Sequence, residues 1–383
     1  MKIFTKIIIF ICSIYLLNTS KVSAENKIKI GLLVPITGQH SDIGKSIIKS
    51  ARLAINKINN SSIEIIPKDT ASDPDVTLKN AKKLQEEGVK IVIGPIFNKN
   101  LIYLDELKDI FFLSLTNKII NNKKNIISVG INAESQFKTI KKFQKLNEIN
   151  KTIILIPKEN FKEEIEKAIQ KSKIIIKKVY YYDVSPTKLT KQIEKITKYS
   201  QRKQNVIDEI KRLKKSDEAN KDIKISRLEK KDTIGKISFD SIIISDFDEN
   251  LKSITTSLLY TDISPKEIYF ITLNQWFDKS LLTEASTQPI YFPSINKQNY
   301  NEFIKNYHKT YEEYPNQLSF LSYDLVGLVY YLIIQNNWII NEKMFLKKSM
   351  FKGKVGIFEI KNKKVNHVLN FYKTEDGKFK KIF

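Results

Sequence analysis

The feature that most restricts this chain is an alternation, repeated along most of its length, of short Ile/Val runs with longer amphipathic stretches. Residues 28–35 form a nearly unbroken apolar run, too short for an ordinary helix. Over 41–59 the side chains of Ile43, Ile47, Ala51, Ala54, Ile55 and Ile58 return every three or four positions, the period of a helix with one buried face. The pattern then repeats as strand 63–67, helix 75–87, strand 91–96, helix 101–107 and strand 111–115. Asp73-Pro74 supplies a cap and a first-turn proline for the second helix, and Gly88 a stop. Strands that are apolar on both faces must be covered on both faces, so the pattern predicts a mainly parallel sheet between helix layers, an α/β fold.

A second series starts with strand 152–156, helix 163–171 and strand 174–182, and resumes with strand 241–245, helix 251–259 and strand 267–273. Between its halves lies a polar segment, 187–231. There Leu189, Ile193, Ile196, Ile207, Ile210 and Leu213 recur near the helical period, which predicts an inserted helical hairpin rather than a linker. With fifteen basic residues against seven acidic ones, this is the most basic piece of the chain. Helices are expected over 300–314 and 320–335, then strands over 356–383 with a turn at Asp376-Gly377. At 383 residues the chain exceeds what one core usually serves, about 250–300, so two lobes are expected.

Lys and Arg total 65 against 42 Asp and Glu, a formal net charge of +23. Such a balance draws a protein toward anionic surfaces. The lysines are spread along the sequence rather than gathered in one run, so no nucleic-acid partner is expected. The first 24 residues have the form of a secretory leader: Lys2 and Lys6, an apolar run over 7–17, and the small-residue site Val22-Ser23-Ala24. That run is shorter than the ~20 residues of a membrane span. Cys12 lies inside it behind Ile11, not where lipid attachment needs it, so no lipid anchor is expected. Cleavage near Ala24 would leave a mature chain without cysteine and without a membrane-spanning stretch, and export points to a bacterial periplasm.

Reactive motifs are missing. The sequence has no GxGxxG, no Gly-Lys-Ser/Thr phosphate loop and no GxSxG elbow. His40, His308 and His367 lack partners at metal-ligand spacing, and His40 reads as a solvated loop residue. Neither catalysis nor a metal or cofactor is expected. Open parallel sheets bind ligands beyond the carboxyl ends of their strands. Those ends offer Thr37, Gly38, Asp69, Thr70, Phe97, Asn98, Thr116 and Asn117 from the first series, with Asn160, Phe161, Asp246, Asn274 and Trp276 from the second. Singly, Gly38 reads equally as a turn former and Thr37 and Asp69 as caps; the convergence of four loops is what predicts a cleft. Trp276 either stacks on a ligand or packs between lobes.

The run Ile30-Gly31-Leu32-Leu33-Val34-Pro35-Ile36-Thr37-Gly38, then Gly44 and Ala51-Arg52-Leu53-Ala54-Ile55, resembles the opening of type I periplasmic binding proteins of the leucine-binding family. Asp69-Thr70, Val92-Ile93-Gly94-Pro95 and Tyr323-Asp324-Leu325-Val326 match that family in type and order. The resemblance implies two α/β lobes joined by three crossovers around a ligand cleft: 25–133 with 289–345 as lobe one, 134–288 with 346–383 as lobe two, and 187–231 as a helical insertion in lobe two. A narrower likeness, through Tyr199, Arg202, Leu213, Arg227-Leu228-Glu229, Thr233-Ile234-Gly235, Phe239-Asp240, Leu273-Asn274-Gln275-Trp276-Phe277-Asp278 and Tyr307, Tyr311 and Tyr314-Pro315, is to penicillin-binding protein activators. That branch is similar to the binding-protein module of an outer-membrane lipoprotein that stimulates a peptidoglycan synthase. It implies regulatory contact with such a synthase, or sensing of a peptidoglycan fragment. The broader family implies a small polar ligand and an ABC permease. Where amino-acid-binding relatives present serines, this chain reads Phe97-Asn98-Lys99-Asn100, and Ser114-Leu115-Thr116-Asn117 replaces a smaller Ala-Thr pair, so a standard α-amino-acid site does not carry over.

Overall fold

Five short apolar strands, β1 (Ile28–Val34), β2 (Ile63–Asp69), β3 (Ile91–Ile93), β4 (Phe111–Ser114) and β5 (Ile126–Ser128), pair in parallel in the order β2-β1-β3-β4-β5. The computed structural model describes residues 27–120, 123–158 and 161–383; the leader expected over residues 1–24, with Cys12, and Asn160 lie outside the described residues. Helix α1 (Ser41–Ile58) follows β1, and α2 (Pro74–Glu86) follows β2. Asp73 caps α2 by accepting the N–H groups of Asp75 and Val76, with Pro74 in its first turn, as the sequence predicts. The helix expected over 101–107 is instead two single 3₁₀ turns, Asn98–Leu101 and Leu104–Glu106. Leu101, Leu104 and Leu107 are spaced by three, which stacks them on one side of a 3₁₀ turn, and all three are buried.

The second sheet runs β15-β14-β10-β9-β8-β6-β7. Its strands β6 (Thr152–Pro157), β7 (Lys178–Tyr182), β8 (Ser241–Ile244), β9 (Tyr269–Thr272) and β10 (Tyr291–Ser294) are parallel, while β14 (Asn370–Glu375) and β15 (Lys378–Lys381) join antiparallel around the expected Asp376-Gly377 turn. Its helices are α3 (Ala133–Leu146), α4 (Lys162–Ser172), α5 (Pro186–Thr197), α6 (Tyr199–Lys214), α7 (Lys221–Leu228) and α8 (Asp248–Tyr260). Two more, α9 (Lys297–Tyr311) and α10 (Gln317–Gln335), return to the first sheet, where Phe303, Phe320 and Leu325 share a core with Leu32, Ile47 and Ile93. The chain therefore passes between the halves three times, after β5, after β10 and before β14. By length and composition α10 could cross a membrane, but it is a core helix: most of it is buried, and Ser319 bonds Ser46 and Ser50 of α1.

Two expectations change. The hairpin expected over 187–231 is three helices, and the first, α5, belongs to the lobe itself, since Leu189 and Ile193 are buried against Ile242 and Leu251. Only α6 and α7 are additional, and buried Arg202 fastens them by donating to the Thr261 carbonyl at 3.0 Å and the Thr233 hydroxyl at 2.6 Å. Residues 346–383, expected to belong wholly to lobe two, divide. Strands β14 and β15 join the second sheet, but β11 (Ser349–Lys352), β12 (Ile357–Lys361) and β13 (Lys364–Val368) form a third, antiparallel sheet. Its Phe358, Ile360 and Val365 pack into the first core, because their alternate positions present one apolar face to it.

Candidate functional site

The strand ends of the two sheets face a shared cavity of about 410 Å³. From the first lobe it takes Phe97, Asn98, Thr116 and Asn117, and from the second Asn274 and Trp276. The structure brings these six candidates together, from two of the four lobe-one loops. Most of the remaining wall is apolar, from Ile96, Leu115, Ile131, Phe247, Leu318 and Leu321. The loop after β3 starts close to β1 because Gly94 (φ 107°) lies against the Leu33 carbonyl, where a Cβ would sit 2.1 Å from the oxygen, and the loop after β4 is approached in the same way by Gly130, where a Cβ would sit 2.5 Å from the Thr116 carbonyl oxygen.

Many of the polar groups hold the scaffold together. Asn274 donates its N–H to Gln136 Oε1 at 2.7 Å, and its own Oδ1 accepts from Ser294 Oγ at 2.7 Å and from the Trp276 N–H at 3.2 Å. Thr116 Oγ1 accepts the Lys118 N–H. Asn100, in the loop after β3, is buried and donates to Thr77 Oγ1 at 2.8 Å. Asn98 and Asn117 are exposed, and their amides make no intramolecular hydrogen bond among the described residues. Trp276 packs against the first core, beside buried Phe277, and also lines the cavity.

Thr37, Gly38, Asp69 and Thr70 do not line this cavity. Asp69 Oδ1 accepts the N–H groups of Ile36 at 2.7 Å, Thr37 at 3.2 Å and Ala71 at 2.8 Å, while Oδ2 accepts the Thr37 hydroxyl at 2.6 Å. Burial works against its charge, but these donors outweigh burial and hold the carboxyl below the usual carboxylate range. Thr37 and Asp69 thus tie the β1 and β2 turns to each other. Thr70 is buried, and Gly38 takes a left-handed turn at φ 81°. His40 is less free than expected: its ring lies 4.8 Å from that of Phe97.

Phe161 and Asp246 meet elsewhere, in a side hollow of about 220 Å³ with Tyr182, Asp183 and Asn250. The Tyr182 hydroxyl donates to Asp246, and burial, reinforced by that carboxylate, pushes the phenol far up, so Tyr182 keeps its proton. Asn160 is outside the described residues. Sequence reading passed over Gln136, Phe247, Leu318 and Leu321. Gln136 was within reach, since Asn132 is a capping residue ahead of Phe137, Ile140 and Phe143 at threefold spacing; Asn132 Oδ1 accepts the Ser135 N–H and opens α3. Among the described residues, no group of three or more His, Cys, Asp or Glu is placed to hold a metal ion.

Residues 27–172 match the family model described as periplasmic binding protein. Among solved structures, the C-domain of LpoA from Haemophilus influenzae, a regulator of PBP1A, superposes with a TM-score of 0.61 at 16% identity, over 93% of this chain and 100% of that one. The chain has the fold of a type I periplasmic binding protein. A putative branched-chain amino acid ABC transporter protein from Rhodospirillum rubrum gives 0.69 at 12% identity, over 93% and 100%. The substrate-binding protein LivJ from Streptococcus pneumoniae, in complex with isoleucine, gives 0.54 at 18% identity, over 92% and 98%. At such identities the likeness shows the binding-protein fold alone. An uncharacterized protein of Methanocaldococcus jannaschii is 28% identical over 111 residues, which are 27% of this chain and 25% of that protein, so the chain spans a quarter of that curated relative. The resemblance read from the sequence holds, and with it the two-lobed α/β class.

Proposed function

We propose that this chain is a non-catalytic, extracytoplasmic binding protein that regulates peptidoglycan synthesis through contact with a partner protein, as penicillin-binding protein activators do. The observation that carries the reading is the state of the cleft. Its walls are largely apolar, and the side-chain oxygens of Asn274 and Gln136 accept hydrogen bonds from the scaffold. A receptor for a zwitterionic amino acid needs free, convergent polar groups there. The α6–α7 addition and the fold-level likeness to the PBP1A regulator support the same reading. The leader-like first 24 residues support export to the periplasm. The test is a pull-down with the mature chain against periplasmic domains of peptidoglycan synthases. Recovery of a synthase at low salt is expected; its absence there removes the reading.

A second reading, a solute receptor of an ABC importer for amino acids or similar small polar molecules, is favoured by the 410 Å³ cavity and the exposed amides of Asn98 and Asn117. It predicts thermal stabilisation by one member of a broad metabolite panel, and a flat response across the panel removes it.

A further inference from the structure

Beside the cleft, and meeting it at Asn98, Asn117 and Lys118, two adjoining cavities of about 550 and 510 Å³ share Ile119, Ile120 and Lys171 and form one continuous groove. One wall is the loop after β4 with edge strand β5; the other is α4, and the β12–β13 turn closes the far end. Its floor is aliphatic, with Ile119, Ile120, Ala168 and Val365. Nine lysines from four separate stretches of sequence line it. Lys123, Lys167, Lys363 and Lys364 are ion-paired, to Asp105, Glu163, Glu342 and Glu134. Lys118, Lys124, Lys158, Lys162 and Lys171 are exposed and form no ion pair with any described carboxylate. Of the three acids among the described residues that line it, Glu134 is held by both Lys138 and Lys364, and Glu163 by Lys167. Burial pushes the Glu164 carboxyl up, against the charges of Lys118 and Lys167, which weakens the remaining negative charge.

We propose that this groove is the docking channel for an acidic segment of a partner polypeptide in which carboxylates alternate with aliphatic side chains. Charge complementarity selects the sign: the unpaired ammonium groups are exposed along a concave channel, whose walls focus their field on an incoming anion. The aliphatic floor selects the class. A bilayer is flat and cannot follow a walled groove, and a glycan stacks best on aromatic rings, of which Phe161 is the one in the lining. An extended peptide presents side chains to opposite faces in turn, so aliphatic groups can reach the floor while carboxylates meet the rim. This goes beyond the regulatory reading, because it names the chemistry of the docked segment and does not depend on which process the partner serves.

The test is fluorescence anisotropy of the full mature chain with a labelled dodecapeptide made of three Glu-Leu-Asp-Val repeats. A second probe, with Lys replacing each acidic residue, and phosphatidylglycerol vesicles are run beside it. The triple variant Lys118→Glu, Lys158→Glu, Lys171→Glu is compared with Lys57→Glu, Lys79→Glu, Lys82→Glu, which makes the same charge change at exposed lysines of α1 and α2. We expect the acidic peptide to bind, the groove triple to weaken it about tenfold or more, and the control triple to change it by less than about twofold. Gln in place of Glu at the three groove positions keeps fold risk low and is expected to give an intermediate loss. Equal losses in both triples, no binding of the acidic peptide, or vesicle binding that depends on the groove lysines while peptide binding does not, would each overturn the proposal. The synthase pull-down and the metabolite panel are read separately, so failure here is distinguishable from failure there.

Discussion

Gly44 shows how much one residue can fix. A Cβ there would stand 1.7 Å from the Pro35 carbonyl oxygen, because the first turn of α1 rests directly on the end of β1. Gly44→Ala must therefore move a helix, and we expect a loss of about 2–4 kcal/mol by urea denaturation. Gly88→Ala meets no atom within 4 Å and carries only the strain of φ 79°, so about 1 kcal/mol is expected. Two buried titratable groups make opposing contributions. Burial raises the Asp324 carboxyl from 3.8 to about 6, against the Lys354 and Val355 N–H groups, so the folded chain holds this proton more tightly than the unfolded chain. Its contribution to stability falls as pH rises from 3.8 through about 6, by up to about 3 kcal/mol. Burial lowers His367 from 6.5 to about 4, so its contribution is complete above 6.5 and is lost as pH falls toward 4. These slopes nearly cancel. Urea midpoints across that window should fall on acidification in Asp324→Asn more steeply than in the parent, while His367→Gln should shift the trend the other way; parallel profiles for the two variants would contradict both assignments.

Elements were legible wherever a period ran long enough. The spacing over 41–59 gave α1 to within one residue, and Asp73-Pro74 marked α2 because capping is local chemistry. Strand β10 was missed since four residues containing a proline carry no period of their own; tertiary pairing with β9 and β14 makes them a strand. Helix α3 was missed although its cap and its aromatic face are plain in the residues, and with it went Gln136. The α6–α7 addition makes an element-scale prediction. Arg202→Ala would leave the Thr261 and Asp262 carbonyls short of a donor, at a cost of about 1–3 kcal/mol. Proteolysis should then open 199–231 before the sheets; cutting that begins in the strands would show that the addition is not held through this residue.

At the scale of the molecule, three crossovers and an interlobe cleft set what binding can do. A solute that fills the cleft at a concentration of 100 times Kd should raise unfolding stability by about 2.7 kcal/mol. Enlarging Thr116, which lines the cavity from lobe one, to Trp should abolish that increment while leaving peptide binding in the lysine groove unchanged. Calorimetry with both ligands on one variant checks the separation; loss of both would mean that cleft and groove form one site. Layer class, helix faces and the four polar loops followed from the sequence, because hydrophobic period and turn chemistry act over a few neighbours. Which loops converge did not, because that depends on how two sheets are set against each other. So the separation of Asp69 from the cavity, the splitting of Phe161 and Asp246 from Asn274, and the gathering of scattered lysines into one channel were decided only when distant segments packed together.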